Sequence, residues 1–396
     1  MIGGSDAATE LSAIRPWADR APPITIEERQ ARIEQARRLM ADANIDAMLI
    51  GAGASLFYFT GIGWGMIERL VAMVLTPRGK PYIICPAFEL GSLEAIFSLD
   101  VEMRLWEEHE SPAALVAGIL RETGSACLAI DPALPFGMAE RVRAAAPFAD
   151  VTDATQLIDG CRVTKSPAEL ALMRQAKQMT LEVQRRAACI LVPGIRASEV
   201  VRFVDQAHKA IGSGGSTFCI VQFGASTAYP HGLPQDDELR EGDMVLIDTG
   251  CAVQGYNSDI TRSYVFGKAD DVQRTVWNIE REAQQAAFDS ARPGTRCEEI
   301  DRTARAVLER HGLGPDYRLP GLPHRTGHGI GLSIHEAPYL VRGDATVLAP
   351  GMCFSNEPMI VMPGKFGVRL EDHFYVTEQG AAWFTEPSPS VDRPFA

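Results

Sequence analysis

The sequence predicts an α+β protein with two domains, a small α/β domain over residues 1–160 and a larger one over residues 161–396. Three observations carry that expectation. Short strands alternate with helices through the first 160 residues. Beyond them, a pattern of long helix, turn and shorter helix occurs twice, one hundred residues apart. Each occurrence runs on into a β-hairpin that bears two carboxylates.

Residues 1–24 read as irregular, broken by Pro16, Pro22 and Pro23. A helix starts at Thr25, which has capping-box spacing to Glu28, and Ile26, Ile33, Ala36, Leu39 and Met40 mark its apolar face. Ala47 to Ile50 is a strand, and Val71 to Leu75 with Tyr82 to Cys85 makes a hairpin around Pro77-Arg78-Gly79. Helices follow near 111–122 and 137–146, with a strand from Cys127 to Ile130 between them. This domain holds no concentrated set of histidines and carboxylates, so it reads as a lid or assembly domain.

Lys165-Ser166-Pro167-Ala168-Glu169 opens the second domain, with Ser166 as N-cap, Pro167 at the first helical position and Glu169 two residues on. The long helix carries Leu170, Met173, Ala176, Val183, Ala187 and Ile190 at helical spacing. Pro193-Gly194-Ile195-Arg196 then leads to Glu199-Val200, as Pro293-Gly294-Thr295-Arg296 leads to Glu299-Ile300 after a second long helix with Val272, Val276, Ile279 and Ala283. Asp248 and Asp259 belong to the first hairpin, Met244 to Val265, which turns at Gln254-Gly255-Tyr256-Asn257. Glu357 and Glu371 end the strands of the second. Acids at equivalent places in a duplicated half predict a pseudo-twofold domain with its site on the axis. A period this long excludes a solenoid.

Composition narrows the function classes. The chain is 46% hydrophobic and 22% charged, ordinary for a globular protein. A formal net charge of −13 argues against nucleic-acid and anionic-membrane binding, both of which need clustered Lys and Arg. None of the eight cysteines forms a C-x-x-C pair and most lie in apolar runs, so they read as buried thiols in a reducing compartment. No run has the apolar core of a signal peptide or the ~18 residues of a membrane span. The expected location is the cytoplasm.

Asp is depleted in strands, so two of them on apolar β patterns need a reason. Carboxylates folded to one point repel unless a proton or cation lies between them; the alternative is two Asp side chains on a solvated sheet face. The segment His324-Arg325-Thr326-Gly327-His328-Gly329-Ile330-Gly331-Leu332-Ser333-Ile334-His335-Glu336 favours the cation. It gathers three of the chain's eight histidines, and His231 stands in Tyr229-Pro230-His231-Gly232. The glycines around His328 let the backbone bend close to a ligand. One imidazole and four carboxylates suit Mn²⁺, with Zn²⁺, Co²⁺ or Fe²⁺ as alternatives, and four anions balance two divalent ions. Two ions acting as Lewis acids on a carbonyl are machinery for hydrolysing an amide. Two other motif matches fail. Asp248-Thr249-Gly250 spells the aspartic-protease signature but has no second loop to complete a dyad. Leu332 stands where the third glycine of a dinucleotide loop belongs.

With these residues the chain resembles the pita-bread metallopeptidases, which include aminopeptidase P, Xaa-Pro dipeptidase (prolidase), methionine aminopeptidase and creatinase. The resemblance covers nearly the whole chain. It implies a pita-bread catalytic domain preceded by a smaller creatinase-type domain for lid or dimer formation, which points to the prolidase and aminopeptidase P branch. The family's metal set falls on Asp248, Asp259, His328, Glu357 and Glu371, its non-ligand histidines on His231, His324 and His335, and its arginine on Arg369. The resemblance implies that Asp259, His328 and Glu357 hold one divalent ion and Asp248 the other, with Glu371 and Asp259 bridging. Glu357 would shuttle the proton. His231 and His335 would contact substrate and stabilise the oxyanion, with His324 nearby. Arg369 would hold the hydrogen-bond network. Arg342 is read as a bidentate clamp on the substrate's terminal carboxylate, against the alternative of a surface arginine.

The expected activity is hydrolysis of the bond preceding proline in Xaa-Pro dipeptides by a homodimer. The alternatives are an aminopeptidase P acting on longer peptides, a creatinase-like or sulfonium-lyase-like enzyme on the same scaffold, and an inert binding protein. A complete five-residue ligand set argues against creatinase and the inert protein. One residue departs from the family pattern: Val361 stands where relatives often carry a tyrosine, in Glu357-Pro358-Met359-Ile360-Val361, and it cannot donate a hydrogen bond to an oxyanion.

Overall fold

The computed structural model describes residues 2–395 and divides into two compact units, Ile24–Arg162 and the remainder of the chain. The first segment departs from the sequence reading, which made it irregular and placed it with the small domain. It contains helix α1 (Ala7–Ala13), capped by Asp6, whose Oδ1 accepts the Thr9 N–H at 2.9 Å. It also packs within the second unit. Gly3 N–H donates to Ala188 O at 2.8 Å, Trp17 N–H donates to Ile211 O at 2.9 Å, and Ile14 is buried in that unit's core. The helix ends just ahead of Pro16, whereas the apolar contacts of Ile14 and Trp17 decide which unit the segment joins.

The small unit is a six-stranded mixed sheet flanked by helices. Its elements are α2 (Ile26–Asp42), β1 (Ala47–Gly51), α3 (Ala54–Thr60), β2 (Ala72–Leu75), β3 (Tyr82–Pro86), α4 (Leu90–Glu94), β4 (Glu102–Trp106), α5 (Pro112–Thr123), β5 (Cys127–Ile130), α6 (Phe136–Ala145), β6 (Asp150–Asp153) and α7 (Thr155–Arg162), with strand order β4-β3-β2-β1-β5-β6. The predicted hairpin is β2–β3, and the predicted cap is present, with Thr25 Oγ1 accepting from Glu28 N–H. Strands β4 and β6 escape a reading by pattern because they lie at the sheet edges and show no alternation of buried and exposed residues.

The large unit is built twice. The first half contains α8 (Pro167–Cys189), α9 (Ala197–Ile211), β7 (Phe218–Phe223), β8 (Met244–Gly250), the short pair β9 (Ala252–Val253) and β10 (Tyr256–Asn257), and β11 (Ile260–Val265). The second contains α10 (Asp271–Ser290), α11 (Cys297–Arg310), β12 (Gly327–Gly329), β13 (Glu336–Leu340), β14 (Cys353–Asn356), β15 (Met359–Met362), β16 (Phe366–Arg369), β17 (Asp372–Thr377) and β18 (Gly380–Trp383). Each half packs its helix pair against its own sheet, β11-β8-β7 in one and β13-β12-β14-β17-β18 in the other. Ser166 makes the full capping box on α8. The first hairpin turns on Gln254 and Gly255, both at positive φ, so Tyr256 and Asn257 are strand rather than turn.

Buried glutamines one hundred residues apart tie the halves into one pattern. Gln184 on α8 donates to Ile260 O at 2.5 Å, and Gln284 on α10 donates to Leu370 O at 3.0 Å. Each satisfies a backbone carbonyl beside a carboxylate residue from within the helix layer, where an unpaired carbonyl would be costly. Among the described residues no helix is long and apolar enough to cross a membrane.

Candidate metal centre

The two sheets meet where β11 runs beside residues 369–371. Glu371 N–H donates to Thr261 O at 3.1 Å, and Arg369 N–H donates to Ser263 Oγ at 3.1 Å. That junction brings Asp248 on β8, Asp259 before β11, Glu357 after β14 and Glu371 before β17 to one place. Ligand atoms of Asp248, Asp259 and Glu371 lie within 4.8 Å of one another, as do those of His328, Glu357 and Glu371. All five residues that the resemblance names as ligands are therefore brought together. His335 also approaches, its ligand atom within 4.8 Å of those of Asp259 and His328.

Close backbone contact explains the glycines around His328, and it differs from the ligand approach expected from sequence. A Cβ at Gly327 would stand 2.1 Å from Ser355 O, and one at Gly329 would stand 2.5 Å from Glu336 O. His328 sits on β12 between neighbouring strands that only glycines admit. Helix α11 steadies the segment leading to it: Arg305 Nη2 donates to His324 O at 2.5 Å, and Thr326 Oγ1 donates to Asp301 Oδ1 at 2.7 Å.

The donor chemistry fits divalent cations. His328 Nδ1 faces Gly329 O at 2.9 Å. A carbonyl only accepts, so Nδ1 carries the hydrogen and Nε2 presents a lone pair in the neutral ring. That lone pair lies 3.1 Å from Glu357 Oε1 and 3.8 Å from Asp259 Oδ2. An acceptor facing acceptors at this range needs a proton or a cation between them. Asp248 Oδ1 and Glu371 Oε1 are buried with no hydrogen-bond partner among the described residues. Burial, and then the neighbouring carboxylates, push Asp259 and Glu371 well above the usual carboxylate range. Burial also raises Asp248, against the Arg369 charge. Glu357 goes the other way. Burial raises it, but a proton on His328 Nε2 would donate to it and carry it below its ordinary value, the place a cation takes beside the neutral ring.

Arg369 is buried and joins three parts of the site. It donates through Nη2 to Asp248 Oδ2, through Nε to Thr261 Oγ1 at 3.0 Å, and through Nη1 to Pro230 O at 3.2 Å, beside His231. Thr261 Oγ1 in turn donates to Glu371 Oε2 at 2.8 Å. The centre opens into a cleft of about 440 Å³ lined by Pro230, His231, Pro323, His324, Arg325, His335, Glu357 and Arg369. The histidines named from sequence thus share the cleft. His335 is exposed at its rim with its pKa lowered to about 4, first by burial of the ring and then by His328. His324 Nδ1 donates to Arg325 O at 2.7 Å, which leaves Nε2 an acceptor.

Arg342 is not brought to this cleft. It pairs with Asp316, is 58% exposed and lines a different cavity with Glu298, Asp301 and Arg305. Arg325 lies in the cleft instead. Its guanidinium stacks 4.4 Å over the Tyr339 ring and has no carboxylate partner among the described residues. Sequence reading passed over it because the adjacent histidines drew the argument. Its signal is a lone Arg inside a His- and Gly-rich run. Gln184 and Gln284 were passed over too, and their signal is an equal offset of nine residues before each Pro-Gly. Val361, at the family's tyrosine position, is buried in the core of the second half.

Comparison with known proteins agrees with this picture. The profile of metallopeptidase family M24 matches residues 171–378, and that of the creatinase/prolidase N-terminal domain matches residues 32–164. The chain is 37% identical over 360 residues to the probable dipeptidase PepE of Mycobacterium tuberculosis, covering 88% of this chain and 92% of that one. It is 32% identical over 362 residues to the Xaa-Pro dipeptidase of Lactobacillus helveticus, covering 89% and 96%. The crystal structure of dipeptidase PepE from Mycobacterium ulcerans superposes with a TM-score of 0.85 at 33% identity, over 92% of this chain and 97% of that one.

Proposed function

The chain belongs to metallopeptidase family M24 and is a metal-dependent hydrolase, and from that premise we propose that it is an Xaa-Pro dipeptidase that cleaves the bond preceding a C-terminal proline. One observation carries the reading: four carboxylates and an imidazole lone pair converge at the base of a cleft whose wall holds an arginine with no carboxylate partner among the described residues. Asp248, Asp259, His328, Glu357 and Glu371 would hold two divalent ions, Mn²⁺ first among them given the oxygen-rich donors. When bound, the ions supply Lewis-acid polarisation of the scissile carbonyl and a water nucleophile at neutral pH.

The chain's own residues supply the rest. Glu357 stays ionised and faces the cleft, so it takes the proton from the nucleophile and returns it to the departing proline nitrogen. His335 is neutral at pH 7, and its N–H donates to the developing oxyanion, with His231 on the same wall. His324 lines the cleft nearby. Arg369 holds Asp248 and Thr261, and through Thr261 it steadies Glu371.

Arg325 takes the role first read for Arg342. Stacking on Tyr339 fixes its plane and leaves its N–H fork free for a carboxylate. A carboxylate receptor in the cleft favours dipeptides over longer chains, and so distinguishes this reading from an aminopeptidase P. A cytoplasmic homodimer completes the proposal. It is supported by eight free cysteines and by Phe88, Ile96 and Phe136, which the small unit leaves exposed.

The test strips the metal, restores Mn²⁺, Co²⁺ or Zn²⁺ separately, and offers Ala-Pro, Ala-Pro-Ala and Ala-Ala. Metal-dependent cleavage of Ala-Pro alone is the expected result. Preference for Ala-Pro-Ala assigns an aminopeptidase P. No cleavage of any of the three with metal bound overturns the peptidase reading.

A further inference from the structure

We infer that His373 is a positioning residue of the metal centre, set behind Glu371 to orient that carboxylate. The inference rests on the reading of Glu371 as an ion ligand. His373 is the second residue of β17, and Glu371 immediately precedes that strand, two residues back. His373 is fully buried, and its Nε2 lies 3.8 Å from Glu371 Oε1. Neither ring nitrogen has a hydrogen-bond partner among the described residues, and neither has Glu371 Oε1. The other oxygen of the same carboxylate, Oε2, is fixed by Thr261 Oγ1 at 2.8 Å. One oxygen is thus tethered while its twin faces an imidazole just beyond hydrogen-bond reach.

A fully buried ring with two idle nitrogens destabilises the fold, and an apolar side chain would fill the place at lower cost. The next residue, Phe374, is such a side chain, buried in the core on the opposite face. The imidazole therefore needs a reason outside packing. A neutral imidazole carries one N–H, and a small torsional adjustment of Glu371 brings Oε1 within its reach. Hydrogen bonds to a ligating carboxylate fix its orientation.

The register across the sheet supports this role. His373 is the antiparallel partner of Ser355, and Ser355 already backs the carboxylate of its own strand. Ser355 Oγ donates to Glu357 Oε1 at 3.0 Å and accepts the His328 N–H at 2.9 Å. The Ser355–His373 pair sits next to the end of the β14–β17 ladder, just beyond which lie Glu357 and Glu371. Each member stands two residues from the glutamate beside its own strand.

The test measures Mn²⁺ binding to metal-stripped protein by equilibrium dialysis, together with thermal unfolding of the metal-free forms, for wild type, His373→Phe and His373→Gln. Wild type takes up two ions per chain. His373→Phe weakens the Kd of one ion by roughly 10- to 100-fold, while the metal-free variant unfolds at the same or a higher temperature because an unsatisfied ring is gone. His373→Gln keeps a donor and restores affinity. If the larger ring does not fold, His373→Leu serves in its place. An unchanged Kd in the apolar variant overturns the inference. So does a loss of metal-free stability with equal weakening in His373→Gln, which would make the role purely structural. Failure of wild type to bind two ions would instead defeat the ligand reading on which the inference stands.

Discussion

Replacing Arg325 with glutamine should convert a dipeptide-selective enzyme into one that barely distinguishes chain length. The guanidinium lies 4.4 Å over the Tyr339 ring, lines the cleft beside His324 and His335, and has no carboxylate partner among the described residues. Stacking holds it without using its N–H groups, so all five donors stay available. A charge-assisted hydrogen bond contributes about 1.5–3 kcal/mol, and partial exposure places this one toward the lower end. At 1.4 kcal/mol per factor of ten, kcat/KM for Ala-Pro should fall roughly 10- to 100-fold. The carboxylate of Ala-Pro-Ala lies one residue further on, about 3.5 Å of extended chain, so that substrate should lose no more than about threefold. Arg325→Lys keeps the charge but not the planar fork and should fall between wild type and Arg325→Gln. The assay compares kcat/KM for both peptides at equal metal content. Equal losses on the two substrates, or an undisturbed dipeptide rate, would refute the assignment. Arg342→Ala is the control: because Arg342 pairs with Asp316 away from the cleft, it should leave the ratio unchanged, and a shift there would return the clamp to Arg342.

Three further outcomes follow from the same geometry. Asp259→Ala should abolish peptide cleavage and lower the ion content per chain, both read from one metal-analysed preparation; full turnover with unchanged metal would remove Asp259 from the ligand set. His335→Ala should keep its metal yet lose about 10²- to 10³-fold in kcat, the usual size of an oxyanion-donor loss; a wild-type rate would take it out of the mechanism. His208 governs a pH effect on stability, remote from catalysis. It is buried between Thr180 and Ser216, and burial lowers its pKa from 6.5 to about 4. Above pH 6.5 the ring is neutral folded or unfolded. Between 6.5 and 4 the unfolded chain takes up a proton that the folded chain refuses, so stability falls with pH, by on the order of 3 kcal/mol once the window is crossed. Urea unfolding of metal-free wild type and His208→Gln at pH 7.5 and 5.0 isolates this group, and an identical pH difference in both proteins would show that it plays no part.

Local signals carried most of the fold. The Ser166 capping box, the Thr25 cap and the Val71–Cys85 hairpin formed as their residues require, since each depends on a few neighbours in the chain. What local pattern could not supply was destination. Helix α1 is capped by Asp6, a short-range device, but it joins the large unit because Ile14 finds an apolar core there. Edge strands β4 and β6 carry no buried period and so no legible one.

The chemistry divides in the same way. The residues alone showed the duplicated half, its four strand carboxylates and the histidine-rich run, because these follow from pattern and spacing, and the resemblance to the metallopeptidases added the ligand order, the three histidine roles and Arg369 as expectations. Only tertiary structure decided how those groups face one another. The junction of β11 with residues 369–371 turns four carboxylates from two halves of the chain, such as Asp259 and Glu371, 112 residues apart, into one cluster. The same folding left Arg342 in a surface ion pair, put Arg325 on Tyr339 inside the cleft, and set His373 against Glu371. Charge and shape at a site depend on distances across the chain that no local spacing encodes.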